Sequence, residues 1–319
     1  MPSPSDSLFG KLVVLVGGSG FIGTHVAQEL LARGARLRLV CRNPKRAYRL
    51  KALANLGQIQ FVRANLADRA VLPALVDGAY AVVNLVGVFK GNLQALHVDG
   101  PAALAAAAKS AGVGAFVHIS ANGADAESPV DYARTKAEGE AAVLKAFPKA
   151  TVLRPSVVFG PDDNFVNMFA RLISQFPVMP VFGPEAQFQP VFVDDLAAGI
   201  ANAVEAPGIH GGKTYTVAGP EVITMGDLNR RIAKAQHRAP LFADLPDAVS
   251  GAIAALTGWL PGAPLSSDQW ALLKAGNVAS GPNGLTALGV EARPLGLFLD
   301  RWMVPYRKHG RFGDKRGLA

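Results

Sequence analysis

Gly17, Gly20 and Gly23 stand three residues apart directly behind the apolar run Leu12-Val-Val-Leu-Val16, and that spacing suits a pyrophosphate. A tight turn at Gly17 and Gly18 lets backbone N–H groups approach phosphate oxygens. Gly20 and Gly23 let the next helix pack close and aim its N-terminus at them. Gly17, Gly18, Ser19, Gly20, Phe21, Ile22 and Gly23 are therefore candidate dinucleotide contacts. Further along, Tyr132-Ala-Arg-Thr-Lys136 puts a phenol and an ammonium four residues apart on one helical face. A lysine so placed holds a nicotinamide ribose and lowers the phenol pKa. The tyrosine then exchanges a proton with a carbonyl or hydroxyl while hydride moves to or from nicotinamide. Tyr132 and Lys136 form the candidate catalytic pair, with Lys136 also touching the cofactor.

The residue closing the second strand of a dinucleotide fold selects between the two nicotinamide cofactors, because an acid there binds free ribose hydroxyls and repels a 2′-phosphate. This chain has no acid there. Leu37-Arg-Leu-Val-Cys41 ends at Arg42, followed by Asn43-Pro-Lys45-Arg46. A guanidinium grips a phosphate dianion bidentately, with Lys45 and Arg46 adding charge, so NADP(H) is the expected cofactor. An arginine stacked on adenine still admits NAD(H). Asn65 and Leu66 stand where an adenine edge would lie, and Asn84-Leu85-Val86-Gly87 lets the backbone pass close to a ribose.

These residues need a scaffold that brings strand ends to one crevice. Apolar runs and helical stripes alternate: strand 12–17, helix 23–33, strands 36–41 and 59–63, helix 69–77, strand 80–86, helix 92–111, strand 115–120, helix 130–147, strand 151–155. The pattern predicts an α/β, Rossmann-type doubly wound parallel sheet. Prolines then crowd at 161, 177, 180, 184, 190 and 207, while 191–193 reads as a strand and 194–204 as a helix returning to the first domain. The expected division is 1–160 plus about 190–205 for the dinucleotide-binding domain. A smaller, partly interleaved lobe takes 161–189 and 206–319, with a basic C-terminal tail.

Composition narrows the classes. Half the residues are apolar, which excludes disorder, and a single cysteine, Cys41, rules out a disulfide framework and suggests a reducing compartment. The six histidines are scattered without metal-ligand spacing, so no metal is expected. The start, Met-Pro-Ser-Pro-Ser-Asp-Ser, lacks a basic region followed by an apolar core, so a cytoplasmic protein is expected. No apolar run is long enough to span a membrane. The longest, 248–260, is read as core cover, with a place on a membrane surface as the alternative. The net charge of +8 concentrates in two zones: Arg33 to Lys51, with eight basic residues and no acid, and Arg301 to Ala319, with six and one. No nucleic-acid module accompanies them, so DNA or RNA binding is not expected.

Combined with the glycine turn, the Tyr132/Lys136 pair resembles the short-chain dehydrogenase/reductase superfamily. Leu153-Arg-Pro-Ser-Val-Val-Phe-Gly-Pro161 is similar to the segment after the sixth strand in its extended and atypical branches, which include nucleotide-sugar epimerases. That segment borders nicotinamide and substrate, which implies cofactor contacts at Pro155 and Val158. Pro190-Val-Phe-Val-Asp-Asp-Leu-Ala197 matches their later strand–helix junction. In Val117-His-Ile-Ser-Ala-Asn122 the register puts Asn122 where the superfamily carries a catalytic hydroxyl, with Ser120 two residues earlier. Asn122 can donate to an oxyanion but cannot relay a proton. Asn122 and Ser120 join Tyr132 and Lys136 as candidate catalytic residues. The stretches 116–125 and 138–148, with the Trp302-Met-Val-Pro-Tyr-Arg tail, resemble the atypical subgroup that includes the nucleotide-binding accessory subunit of respiratory complex I and its bacterial relatives. That resemblance implies a small-molecule substrate or none, and a place beside a membrane-associated respiratory or quinone-biosynthesis complex. The expected function is an NAD(P)(H)-binding oxidoreductase or epimerase-like enzyme. The alternatives are a catalytically silent accessory or assembly subunit and a redox-sensing regulator.

Overall fold

The apolar run Leu12–Val16 forms strand β1, and it stands where a strand without a polar face must stand, in the middle of a parallel sheet. The computed structural model describes residues 7–257 and 267–311. Around β1 lie β2 (Arg36–Cys41), β3 (Ile59–Arg63), β4 (Ala81–Asn84), β5 (Ala115–Ile119), β6 (Thr151–Pro155) and a seventh strand, Thr214–Val217. Every pairing is parallel, in the order Thr214–Val217, β6, β5, β4, β1, β2, β3. The order reverses at β1 and β4, so the crevice beyond their carboxyl ends is the place for a ligand.

Alternation along each strand sorts its side chains to two helical layers. Val14, Val16, Val82 and Phe116 share one face, where they pack with Leu72, Leu104, Ala105, Val143 and Phe147. These come from helices α2 (Leu72–Val76), α3 (Gly100–Ser110) and α4 (Asp131–Ala146) and from the residue that ends α4. The opposite layer holds α1 (Phe21–Ala32) and the helix Val193–Glu205, which pack on one another. His25 Nδ1 lies 2.5 Å from Asp194 Oδ1 between those two helices.

The chain divides into two compact units, and the division differs from the sequence reading. The first is Met1–Pro155, Val193–Val217 and Gly281–Glu291; the second is Ser156–Phe192, Ala218–Ser280 and Ala292–Ala319. Residues 206–217 and 281–291 leave the expected lobe because Thr214–Val217 hydrogen-bonds to β6 as a sheet strand. Gly284 then presses on that strand so closely that a Cβ would stand 2.7 Å from Thr216 O. Residues 156–160 leave the expected dinucleotide-binding domain, since Val158–Phe159 pairs with Val191–Phe192 inside the second unit.

The second unit is built on short pairs. Besides 158–159 with 191–192, Val178–Phe182 runs parallel to Leu241–Leu245, and Gln187–Phe188 antiparallel to Ile223–Thr224. Phe159, Phe192, Phe298 and Trp302 cluster there with ring centroids 4.2–6.1 Å apart, and the Arg293 guanidinium lies 4.5 Å over Phe192. The run expected to cover a core, 248–260, forms the helix Asp247–Thr257, and its last three residues lie outside the described residues. Ser250 and Ala254 are buried, whereas Val249 and Leu256 are exposed, so this helix offers more apolar surface to solvent than the core reading requires. The expected basic tail is described only as far as Arg311. Among the described residues no helix is long and apolar enough to cross a membrane, and no cluster of three metal-ligating side chains occurs.

One close approach sets where α4 sits. Gly139 in α4 meets the chain entering α3, where a Cβ would stand only 2.0 Å from His97 O. Gly139→Ala therefore forces α4 away from that segment. A loss of about 2 kcal/mol or more in denaturant-induced unfolding is expected, in the upper range for overpacking because the obstacle is backbone.

Candidate functional site

The turn after β1 is held by glycine geometry. Gly17 has φ +87°, and its N–H donates to Val40 O at 2.9 Å. A Cβ on Gly17 would lie 3.2 Å from the Leu85 carbonyl carbon and 3.3 Å from Val86 N. On Gly18 it would meet Leu39 Cγ at 2.7 Å, and on Gly23 both Gly17 O and Gly18 Cα at 2.6 Å. Side chains are thus excluded where phosphate oxygens need bare N–H groups. Helix α1 begins at Phe21, two residues earlier than expected, because Gly20 takes the extended N-cap conformation. Phe21 and Ile22 are therefore first-turn helical residues, and the Phe21 ring meets His25 edge-on. Ser19 is half-buried in the turn.

The adenosine side follows the neighbouring strand ends. Arg42 is exposed just beyond β2, and Lys45 and Arg46 are exposed in the first turn of the 3₁₀ helix that follows, Pro44–Ala52. Ala64 N–H donates to Cys41 O at 3.2 Å, which brings the end of β3 beside them. Asn65 is exposed, with its Oδ1 accepting from Ala67 N–H at 3.2 Å. Leu66, by contrast with the expected cofactor contact, turns its side chain into the core against Leu72 and Leu104. The reading by position missed Arg49, whose guanidinium donates to Thr24 Oγ1 at 3.2 Å in the second turn of α1.

Across the switch point, Leu85, Val86 and Gly87 carry the strip from the glycine turn to α4. A Cβ on Gly87 would lie 3.8 Å from Lys136 Nζ. Lys136 is buried, and its ammonium donates to Ile119 O at 2.8 Å. Burial pulls its pKa down to about 8, against the Glu140 carboxylate one turn on, which pulls it up. Glu140 is itself buried and bonded bidentately to Arg154 on β6 at 2.5–3.0 Å. The spacing Tyr132, Lys136, Glu140 is a helical stripe that could have announced this partner.

Tyr132 departs from expectation. Burial pushes its phenol up to about 12, with no lowering from Lys136, whose ammonium is bound to Ile119 O. The Tyr132 ring is stacked on Phe89, centroids 4.4 Å apart and planes 20° apart, and meets His97 edge-on. Ser120 is buried in the sheet, and its Oγ has no hydrogen-bond partner among the described residues, so it does not engage the phenol. Asn122 N–H donates to Pro155 O at 2.9 Å, which fixes the strand end beside β6. Val158, by contrast, belongs to the second unit.

Two histidines that carried no sequence signal complete the centre. Val88 N–H donates to His97 Nε2 at 3.1 Å, so His97 carries its proton on Nδ1, which bonds Thr135 Oγ1 at 2.9 Å. Thr135 in turn donates to Asp131 O at 2.7 Å. Asn84 Nδ2 lies 3.0 Å from His118 Nδ1, leaving the fully buried His118 Nε2 without a partner among the described residues. Burial and then the Lys136 charge hold both imidazoles neutral: His97 falls from 6.5 to about 4, and His118 lies well below its usual value.

The unfolded chain protonates these histidines near pH 6.5 and the folded chain resists it, so their stabilisation is complete above that pH and is lost as pH falls toward 4. Thermal unfolding should show a falling midpoint across this window. His97→Gln, which keeps an acceptor for Val88 and a donor for Thr135, should flatten the part of the slope that His118 does not supply.

Residues 13–218 match the family model described as NAD dependent epimerase/dehydratase family. A relative from Rattus norvegicus, "NADH dehydrogenase [ubiquinone] 1 alpha subcomplex subunit 9, mitochondrial", is 32% identical over 92% of this chain and 79% of its own length. The protein of the same name from Arabidopsis thaliana is 30% identical over 78% of this chain, a match spanning 64% of that relative. Among solved structures, that of MoeE5 in complex with UDP-glucose and NAD superposes with a TM-score of 0.72 at 17% identity, covering 97% of this chain and 100% of that one. That likeness speaks for the fold, and the family match covers both the glycine turn and the Tyr132/Lys136 helix. The chain belongs to the NAD dependent epimerase/dehydratase family.

Proposed function

We propose that this chain binds a nicotinamide dinucleotide along the strip from Gly17 through Leu85–Gly87 to Lys136, that it prefers NADP(H), and that it reduces a carbonyl. The observation that carries the reading is the continuity of that strip: the side-chain-free turn abuts the backbone leaving β4, which abuts the Lys136 ammonium. A diphosphate fits at the turn, a ribose within reach of Lys136 Nζ, and a 2′-phosphate among Arg42, Lys45 and Arg46. Bound there, the reduced cofactor supplies a hydride.

The chain's own part is the proton. A phenol held at about 12 is protonated at neutral pH, a poor base but an available acid. Tyr132 Oη thus donates to the carbonyl oxygen as the carbonyl carbon is reduced, giving an alcohol. Lys136 orients the ribose. Asn122, three residues beyond the end of β5, is read as a second donor to the same oxygen.

A second reading, favoured by the names of the rat and Arabidopsis relatives, is a subunit that holds its cofactor tightly without turning it over. It would sit at the inner face of a membrane beside a respiratory or quinone-biosynthesis complex. The burial of Tyr132 and the Lys136–Ile119 bond suit such a resting protein.

Tyr132→Phe separates the two: NADPH-dependent turnover of a carbonyl is lost while cofactor affinity by calorimetry stays within about twofold, the phenol contributing little to ground-state binding. A variant as active as the parent refutes reduction through Tyr132. If the subunit reading holds, Tyr132→Phe changes nothing in the cell, whereas truncation before Arg301 moves the chain from the membrane fraction to the soluble one. Arg42→Ala should weaken NADP+ by roughly 10-fold or more, the worth of a charge-assisted hydrogen bond, and leave NAD+ nearly unchanged.

A further inference from the structure

The loop after β4 puts Phe89 in an unusual place. Its ring is 66% exposed, yet one face lies flat on Tyr132, the residue proposed as proton donor. Val88 N–H in this loop donates to His97 Nε2, and the loop is bounded by Gly87 and by Gly91 at φ +100°, a conformation few other residues adopt. While the stack holds, Phe89 covers that face of the phenol. A carbonyl reaching Tyr132 from this side must take the place of the Phe89 ring or slide beneath it.

The surroundings of the phenol indicate what kind of molecule does so. Both nitrogens of His97 are committed, one to Val88 and one to Thr135, and the Thr135 hydroxyl is committed to Asp131 O. Lys136 faces Gly87 and Ile119. None of these three side chains is left over for the hydroxyls of a sugar, and Ser120 Oγ, though without a partner among the described residues, is buried. What the loop offers is an exposed aromatic face, whose favourable partner is another flat, apolar surface.

On the reading that Tyr132 is the proton donor, we propose that Phe89 is the specificity-determining residue of this site. Its ring covers the phenol at rest and, on entry of substrate, packs against it, so that the admitted carbonyl is one borne on a planar, apolar group and not on a sugar. The reaction balances as before. Hydride from NADPH goes to the carbonyl carbon, the Tyr132 proton goes to the carbonyl oxygen, and water restores the proton to the phenolate.

Two measurements test this on the full chain. In protein with carbon-labelled tyrosine, the Tyr132 ring signal, assigned by its absence in Tyr132→Phe, should be displaced upfield by the stacked Phe89. It should move downfield in Phe89→Ala and return in Phe89→Trp; an unmoved signal in Phe89→Ala overturns the stack. In the second, naphthaldehyde and UDP-glucose are compared by equilibrium binding to the NADP+-loaded protein and by NADPH oxidation. Naphthaldehyde should bind, with Kd and KM raised roughly 2- to 10-fold in Phe89→Ala, the worth of an aromatic stack, and kcat changed less. Binding of UDP-glucose without naphthaldehyde, or a Kd unmoved by Phe89→Ala, overturns the proposal. Naphthaldehyde binding that depends on Phe89 without any NADPH oxidation supports the aromatic contact and refutes the reduction reading instead.

Discussion

Backbone lies against backbone where the turn after β1 meets the chain leaving β4, and the whole site hangs on that contact. With a Cβ only 3.2–3.3 Å from Leu85 and Val86, a side chain at Gly17 would press that backbone aside, and the positive φ would strain it as well. This closeness leaves bare N–H groups in the crevice where strand order reverses, and it lines the glycine turn up with Gly87 and Lys136. Gly23 repeats the constraint on the helix side, since a Cβ there meets Gly17 O at 2.6 Å.

Around that strip the sheet carries a charged and polar interior that the fold must neutralise. Lys136 and Glu140 are both buried one turn apart on α4, and a lone buried charge costs several kcal/mol. Arg154, partly exposed on β6, answers Glu140 bidentately, and Glu140 in turn supports the Lys136 ammonium against burial. His97 and His118 stay neutral beside the same ammonium. The phenol of Tyr132, without an anchored cation at its oxygen, rises with burial instead of falling. One low-dielectric pocket thus moves the pKa values of lysine and tyrosine apart, each group toward its uncharged form.

Much of this was legible in the chain. The alternation of apolar runs and helical stripes foretold the sheet because parallel strands buried on both faces have no polar alternation to confuse the reading. Thr214–Val217 was not foretold: it is short, lies beyond the proline-rich stretch, and becomes a strand only because β6 offers it an open edge. The glycine turn and the Tyr132/Lys136 spacing were readable because they are local. Phe89, His97 and His118 were not, for each takes its role from a partner far along the chain: Phe89 from Tyr132, His97 from Thr135, His118 from Asn84.

By itself, then, the sequence determined the sheet, the glycine turn, the basic residues after β2 and the phenol–ammonium stripe, since strand periodicity, glycine freedom and helical spacing are properties of neighbours in the chain. Tertiary structure alone decided the electrostatic state of that stripe. Whether Lys136 lowers the Tyr132 phenol depends on which acceptor its ammonium meets, and the fold presents Ile119 O; burial then sets the phenol high and Phe89 closes over it. Desolvation and hydrogen-bond partnership are set by packing across the molecule, which no local run of residues can express.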